Sequence, residues 1–128
     1  MTSGQRVSIL KILVVEPSPV ERAQIAHTLV AAGYQVAIAA DGEEGVALAR
    51  RDYPDLILME VVMPGLNGYQ ATRALTRSED ERLARIPIVL ISAKGQDTDK
   101  VWGLRQGAID YLVKPISDDE LLMRIADI

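Results

Sequence analysis

The chain has 128 residues, of which 48% are hydrophobic and 25% are charged, the proportions of a soluble globular protein with a single core. A net charge of −4 and a pI near 4.9 argue against a domain that binds nucleic acid through its phosphates. No apolar run approaches the roughly 18 residues of a membrane helix, the start lacks a signal-peptide pattern, and the absence of cysteine excludes disulfide and thiol chemistry, so a cytoplasmic location is expected.

Five short apolar runs alternate with amphipathic segments and are predicted to be strands. They are Ile9–Val15, Tyr34–Ala39, Leu56–Met59, Ile86–Ile91 and Ile109–Val113. Three of the runs are continuous in Val, Ile and Leu without polar alternation. That pattern is typical of strands in a parallel sheet that is covered on both faces.

The segments between the runs begin with residues that favour helix starts. A capping residue is followed three positions later by Glu or Gln at Ser18–Glu21, Asp41–Glu44, Asn67–Gln70 and Ser117–Glu120. Gly33 stands where a helix over about 19–32 needs a left-handed C-terminal residue. A βα unit that occurs five times predicts one α/β domain with an open parallel sheet and right-handed crossovers, and the connection around 78–85 is longer than the rest.

A polar side chain follows four of the five predicted strands. These residues are Glu16, Glu60, Ser92 and Lys114. Ligands of open α/β sheets bind beyond the carboxyl ends of the strands, so four such residues at one edge indicate a functional site, although a solvated strand end explains any one of them. The first strand is not followed by a glycine-rich phosphate-binding motif, no zinc-ligand spacing occurs, and the only histidine, His27, falls within a predicted helix.

Several segments of the sequence together resemble the receiver domain of two-component response regulators, which accepts a phosphoryl group from sensor histidine kinases. They are "ILVVEPSP", "ADGEEGVALARRDYPDLILME", "MPGLNG", "IPIVLISAK" and "GAIDYLVKP", within about Lys11 to Ile125. The segment "DKVWGLRQGA" looks most like single-domain regulators of the type IV pilus twitching and phototaxis systems. The resemblance implies a flavodoxin-like (βα)5 fold with a doubly wound, five-stranded parallel sheet in the order 2-1-3-4-5, and a single receiver domain over residues 1–128.

The resemblance also implies roles for the residues at the strand ends. Glu60 stands at the position of the phosphoacceptor aspartate, and Ser92 matches the switch hydroxyl. Lys114 matches the lysine that contacts the phosphoryl group, and the Pro115 that follows it is usually cis in the family. Tyr111 matches the aromatic switch residue whose inward or outward rotation reports phosphorylation.

The metal-binding part of the family pattern is incomplete in this chain. Family members bind Mg²⁺ through an acidic pair after the first strand, the acceptor aspartate, and the backbone carbonyl two residues later. The matching residues here are Glu16 with Pro17, Glu60, and Val62. Pro17 removes one acid, and the extra methylene of Glu60 moves the nucleophile by about 1.5 Å, where a misplacement of ~1 Å can lower a rate ~100-fold. We therefore expect no cofactor, with Mg²⁺ binding weak or lost.

Three functions are compatible with the sequence. The first is a protein-interaction module with the receiver fold that no longer depends on aspartyl phosphorylation, in which Glu60 reaches Lys114. The second is a conventional Mg²⁺-dependent phosphorelay receiver. The third is a small-molecule enzyme on the same fold, for which the strand ends supply no histidine or cysteine, so we expect no enzyme.

The expected partner is a protein, either a histidine kinase or a downstream effector. We expect no direct binding of nucleic acid, no membrane insertion, and a monomer or weak homodimer. Trp102, Leu104 and Tyr111, around the fourth predicted helix and the fifth strand, form a candidate docking face.

Overall fold

A five-stranded parallel sheet in the order β2-β1-β3-β4-β5 forms the centre of the molecule, as predicted. The computed structural model describes residues 8–128, so residues 1–7 of the predicted single domain lie outside the described part. Each strand lies within its predicted run or extends it by one residue at the carboxyl end. The strands are β1 (Lys11–Val15), β2 (Gln35–Ala39), β3 (Leu56–Glu60), β4 (Ile88–Ser92) and β5 (Asp110–Val113).

Helices connect the strands and cover both faces of the sheet. They are α1 (Pro19–Ala31), α2 (Gly42–Asp52), α3 (Gly68–Thr76), α4 (Glu81–Ala84), α5 (Asp97–Arg105) and α6 (Asp118–Ala126). The short α4 was not predicted and lies in the long connection before β4, where Asp80 accepts the N–H groups of Arg82 and Leu83. Within residues 8–128, every helix is too short or too polar to cross a membrane.

The predicted helix caps are present, but only one of the four predicted capping boxes is reciprocal. In that box, Asn67 Oδ1 accepts the N–H of Gln70, and Gln70 Oε1 accepts the N–H of Asn67. At α1, Ser18 Oγ accepts the N–H of Glu21 at 3.2 Å. The N–H of Ser18, however, donates to Glu16 Oε2 at 2.9 Å, which leaves the carboxylate of Glu21 free to bind elsewhere.

Alternate residues of each central strand point to opposite faces, and each face has its own hydrophobic cluster. On one face, Ile12 and Val14 pack with Leu29 of α1 and with residues of α6. On the other face, Leu13 and Val15 pack with residues of α2, α3 and α4. The interior positions of the central strands are therefore apolar on both faces, which explains the continuous runs in the sequence.

Parallel pairing brings the carboxyl ends of the strands to one edge of the sheet. Glu60 is the last residue of β3 and Ser92 is the last residue of β4. Glu16 directly follows β1, and Lys114 directly follows β5. The four residues that the sequence singled out thus lie at the same edge.

Helix α5 packs closely on the sheet at Gly103. A Cβ atom at this position would lie 2.9 Å from Leu90 Cδ1 and 3.0 Å from Tyr111 Cδ2, which is tighter than ordinary van der Waals contact. The missing side chain makes room for the ring of Tyr111, which is only 6% exposed. The close approach of α5 and the inward position of Tyr111 therefore depend on each other.

We expect Gly103→Ala to destabilise the protein by about 1–2 kcal/mol, because the added methyl group has to displace Leu90 or Tyr111. The sign is diagnostic, since Ala inside a helix is otherwise favoured over Gly by about 0.8–1 kcal/mol. Urea unfolding measures the change, with Thr98→Ala at an exposed position of α5 as the control. A more stable Gly103→Ala protein would contradict the close packing.

Candidate functional site at the carboxyl edge of the sheet

The ammonium group of Lys114 lies at the centre of the carboxyl edge. Its Nζ atom donates to Glu16 Oε1 at 2.7 Å, and to Glu21 Oε1 and Glu60 Oε1 at 2.8 Å each. The side chain of Lys114 is 15% exposed, and those of Glu16 and Glu60 are 3% and 9% exposed. Three carboxylates and one ammonium leave this lysine–carboxylate cluster with a net charge of −2.

The backbone around Lys114 directs its side chain to this edge. Its N–H donates to the carbonyl of Ser92 at 2.9 Å, so the pairing with β4 continues one residue beyond the end of β5. The Lys114–Pro115 peptide bond is cis, as the resemblance implies. The ion pair that we expected between Lys114 and Glu60 is present.

The second carboxylate oxygen of Glu60 is bound by the backbone that follows it. Glu60 Oε2 accepts the N–H groups of Val61 at 2.7 Å and Val62 at 3.0 Å. Burial disfavours the charged carboxyl, but hydrogen bonds from Lys114, Ser92 and the Val62 N–H outweigh it, so the pKa of Glu60 lies below its ordinary value of 4.5. Glu60 is therefore ionised at neutral pH.

The same cluster also perturbs the lysine. Burial alone lowers the pKa of the Lys114 ammonium, but the hydrogen bonds to Glu16, Glu21 and Glu60 outweigh this effect and raise the pKa above its ordinary value of 10.5. Lys114 therefore stays charged at neutral pH.

All four carboxylate oxygens of Glu16 and Glu60 accept hydrogen bonds from protein groups. Lys114 takes one oxygen of each, Ser18 N–H takes the other of Glu16, and backbone N–H groups take the other of Glu60. Pro17 offers no side-chain oxygen. Within the described range 8–128, no three His, Asp or Glu side chains are grouped as metal ligands. The residues at this edge thus do not fit Mg²⁺, which requires near-octahedral oxygen ligands.

The residues at the predicted switch positions, Ser92 and Tyr111, bind the segment between β4 and α5. Ser92 is buried, and its Oγ accepts the N–H of Lys94 at 3.3 Å. Tyr111 is turned inward, and its hydroxyl donates to the carbonyl of Lys94 at 2.6 Å. Of the candidate docking face, Trp102 and Leu104 are each 49% exposed, whereas Tyr111 is buried beneath α5 and offers no surface.

Glu21 is the member of the cluster that the sequence analysis missed. The sequence predicted that its carboxylate caps Ser18, but Glu16 binds the Ser18 N–H instead. Glu21 then reaches Lys114 from the first turn of α1, with its side chain 45% exposed. The only signal available in the sequence was the position of Glu21, in the helix that begins at the same edge as Glu16.

Comparison with known proteins assigns the family. The sequence profile of the response regulator receiver domain matches residues 12–126, and the chain belongs to this family. Receiver domains are signalling proteins that interact with histidine kinases or effector proteins, and they generally use Mg²⁺ in the active site.

Curated relatives include single-domain and longer proteins. Protein PilH of Pseudomonas aeruginosa is 50% identical over 115 residues, which cover 90% of this chain and 93% of PilH. Six further relatives, 36–40% identical, are named as transcriptional regulators. The chain spans 46–48% of their length.

Solved structures share the fold over nearly the whole chain. The chemotaxis protein CheY4 of Vibrio cholerae aligns with a TM-score of 0.86 and 32% identity, and the alignment covers 94% of this chain and 98% of CheY4. The receiver domain of the sensor histidine kinase PA1611 of Pseudomonas aeruginosa aligns with a TM-score of 0.84 and 36% identity, covering 94% and 97% of the two chains. That structure has a magnesium ion coordinated in the active site cleft.

We expect Glu21→Gln to lower the pKa of Lys114, because it removes one of the three carboxylates that stabilise the ammonium. The loss of stability should stay below about 1 kcal/mol, since Glu21 is half-exposed. NMR titration of the Cε and Hε resonances of Lys114 in isotope-labelled protein measures the pKa. Glu120→Gln, which removes a carboxylate beside Arg124 of α6, is the matched control. An unchanged pKa of Lys114 in Glu21→Gln would contradict the third contact.

We expect Glu60→Gln to lower the free energy of unfolding by about 1–2 kcal/mol near neutral pH, since it replaces a charge-assisted bond to Lys114. A lowered carboxyl pKa stabilises the folded state above the unfolded-state pKa, and this stabilisation is lost as the pH falls through the folded-state pKa. The difference between wild type and Glu60→Gln should therefore shrink as the pH falls below 4.5. Denaturant unfolding at a series of pH values measures it.

The control for this pH dependence is Glu81→Gln, which removes an exposed carboxylate from α4. It should change the unfolding free energy little at any pH. A Glu60→Gln effect that stays constant from neutral to acidic pH would mean that the pKa of Glu60 is not lowered by folding.

Proposed function

We propose that this chain is a receiver domain that acts as a protein-interaction module without phosphorylation at the acceptor position. The observation that carries the proposal is the 2.8 Å contact between Lys114 Nζ and Glu60 Oε1. In the family the equivalent lysine contacts the phosphoryl group. Here a carboxylate of the chain itself takes that place.

The lysine–carboxylate cluster argues against Glu60 as a phosphoryl acceptor. Both of its oxygens accept hydrogen bonds, one from Lys114 and one from backbone N–H groups, and these bonds stabilise the negative charge and make the carboxylate a weaker nucleophile. A net charge of −2 also repels an anionic phosphoryl donor. Pro17 supplies no ligand for the Mg²⁺ that would offset this repulsion, so we infer that Mg²⁺ binds weakly or not at all.

The same cluster favours one state of the switch. A single carboxylate carries about −1, against −1.5 to −2 for a phosphoryl group, but Lys114 is also bound by Glu16 and Glu21. Tyr111 is inward and both switch residues bind Lys94. We infer that α5 is held in a fixed position without a phosphoryl group.

The exposed apolar residues of α5 are the docking face of the proposed module. Val101, Trp102 and Leu104 are each about half exposed. Their partner is a protein of a two-component pathway, a histidine kinase or a downstream effector. The proposed domain comprises residues 1–128, and a sequence without cysteine agrees with a cytoplasmic module.

We expect the wild-type chain to remain unlabelled by radioactive acetyl phosphate with Mg²⁺. Pro17→Asp combined with Glu60→Asp should become labelled, because the pair restores the missing acid and shortens the nucleophile. The matched control is Pro17→Asp with Glu60→Asn, which keeps the acid and removes the nucleophile. Labelled protein on a gel measures the outcome.

Labelling of the wild-type chain at Glu60 would contradict the proposal. It would favour the second candidate function, a conventional phosphorelay receiver. The fluorescence of Trp102 gives a further reading on the same samples. Saturation of that signal by Mg²⁺ in the wild-type chain well below about 1 mM would contradict the inference of weak metal binding.

A further inference from the structure

Tyr69 connects the loop after β3 to the first turn of α5. It is the second residue of α3, and its hydroxyl donates to the backbone carbonyl of Asp99 at 3.1 Å. Asp99 lies in the first turn of α5, the helix that exposes Trp102. The hydroxyl of Tyr111 binds Lys94, which precedes α5, whereas the hydroxyl of Tyr69 binds the helix itself.

Hydrogen bonds also connect Tyr69 to the carboxylate of Glu60. Glu60 Oε2 accepts the N–H groups of Val61 and Val62, and the carbonyl of Val61 accepts the N–H of Gly68 at 2.8 Å. Gly68 packs so closely on this loop that a Cβ atom would overlap the backbone carbonyl of Glu60. Because Gly68 begins α3 and Tyr69 follows it, a shift of the Glu60 loop moves the ring of Tyr69.

We propose that Tyr69 is a positioning residue that couples the state of the Glu60 carboxylate to α5, by a route that ends on the helix itself rather than on Lys94, which Ser92 and Tyr111 bind. The inference rests on the proposed function, because it concerns how the pair of Glu60 and Lys114 sets the docking face. The two routes reach different points. The switch residues bind Lys94 in the exposed segment before α5, and Tyr69 binds within the helix.

If Tyr69 acted only through the packing of its ring, Tyr69→Phe would leave the position of α5 unchanged. The ring of Tyr69 contacts the hydrophobic cluster on the α3 face of the sheet, and phenylalanine keeps that contact. Tyr69→Phe therefore removes only the hydroxyl that reaches Asp99. A hydrogen bond of ordinary net strength changes an equilibrium roughly two- to tenfold, which is enough to alter the position of an exposed helix.

A double-mutant cycle between Glu60→Gln and Tyr69→Phe tests the coupling. Trp102 is the only tryptophan, so its indole N–H gives one NMR resonance from α5. The four proteins of the cycle are compared without phosphoryl donor, Mg²⁺ or partner. We expect Glu60→Gln to displace the resonance when Tyr69 is present, and to displace it by less than half as much when Phe replaces Tyr69.

Tyr34→Phe is the matched control, because Tyr34 packs in the cluster on the opposite face of the sheet. In that background Glu60→Gln should displace the Trp102 resonance by its full amount. An equal displacement in the Tyr69→Phe background, or none with Tyr69 present, would overturn the inference. Failure of the proposed function would be detected by a different experiment, the phosphoryl labelling of the wild-type chain. The two failures can therefore be told apart.

Discussion

An ammonium that is largely withdrawn from water has to be compensated by nearby charge, and the carboxyl edge of the sheet depends on how this is done for Lys114. The side chains of Glu16 and Glu60 are even less exposed than that of the lysine, so each charge depends on its partners for stabilisation. Contacts of 2.7–2.8 Å offset the loss of water, and backbone N–H groups bind the oxygens that the lysine does not reach. Loss of the lysine would leave the carboxylates at the strand ends without a compensating positive charge.

The sequence was sufficient to predict the strands of the sheet, because the central strands are covered on both faces and are apolar at all but their terminal positions. Two strands run one residue further than predicted, since Glu60 still pairs with Ile91 and Ser92 still pairs with Val113. Their polar side chains concealed this pairing. The single turn of α4 has too few residues for a helical period, and its formation depends on the Asp80 cap.

The sequence was sufficient to predict those residues of the site that lie at the carboxyl ends of the strands. Parallel strands bring Glu60 and Lys114 to one edge whatever the detail of the loops. Glu21 was different, because the choice of its carboxylate between Ser18 and Lys114 depends on Glu16, which takes the Ser18 N–H only in the folded chain. The spacing of residues does not show whether a side chain will bind a local group or one that is distant in sequence. The capping-box pattern therefore predicted Ser18 as the partner of Glu21, whereas the partner is Lys114.

The internal compensation of Lys114 has a consequence for the control of such a protein. A receiver that awaits a phosphoryl group has two populations, and a kinase changes their ratio. In the proposed interaction module the chain supplies the compensating carboxylates itself, so one population predominates, and the occupancy of a partner follows from protein concentration and the dissociation constant. A cell then adjusts the response through synthesis, degradation and competition for the partner. In that role the amount of the domain in the cell, rather than its phosphorylation state, determines how much of the partner is bound.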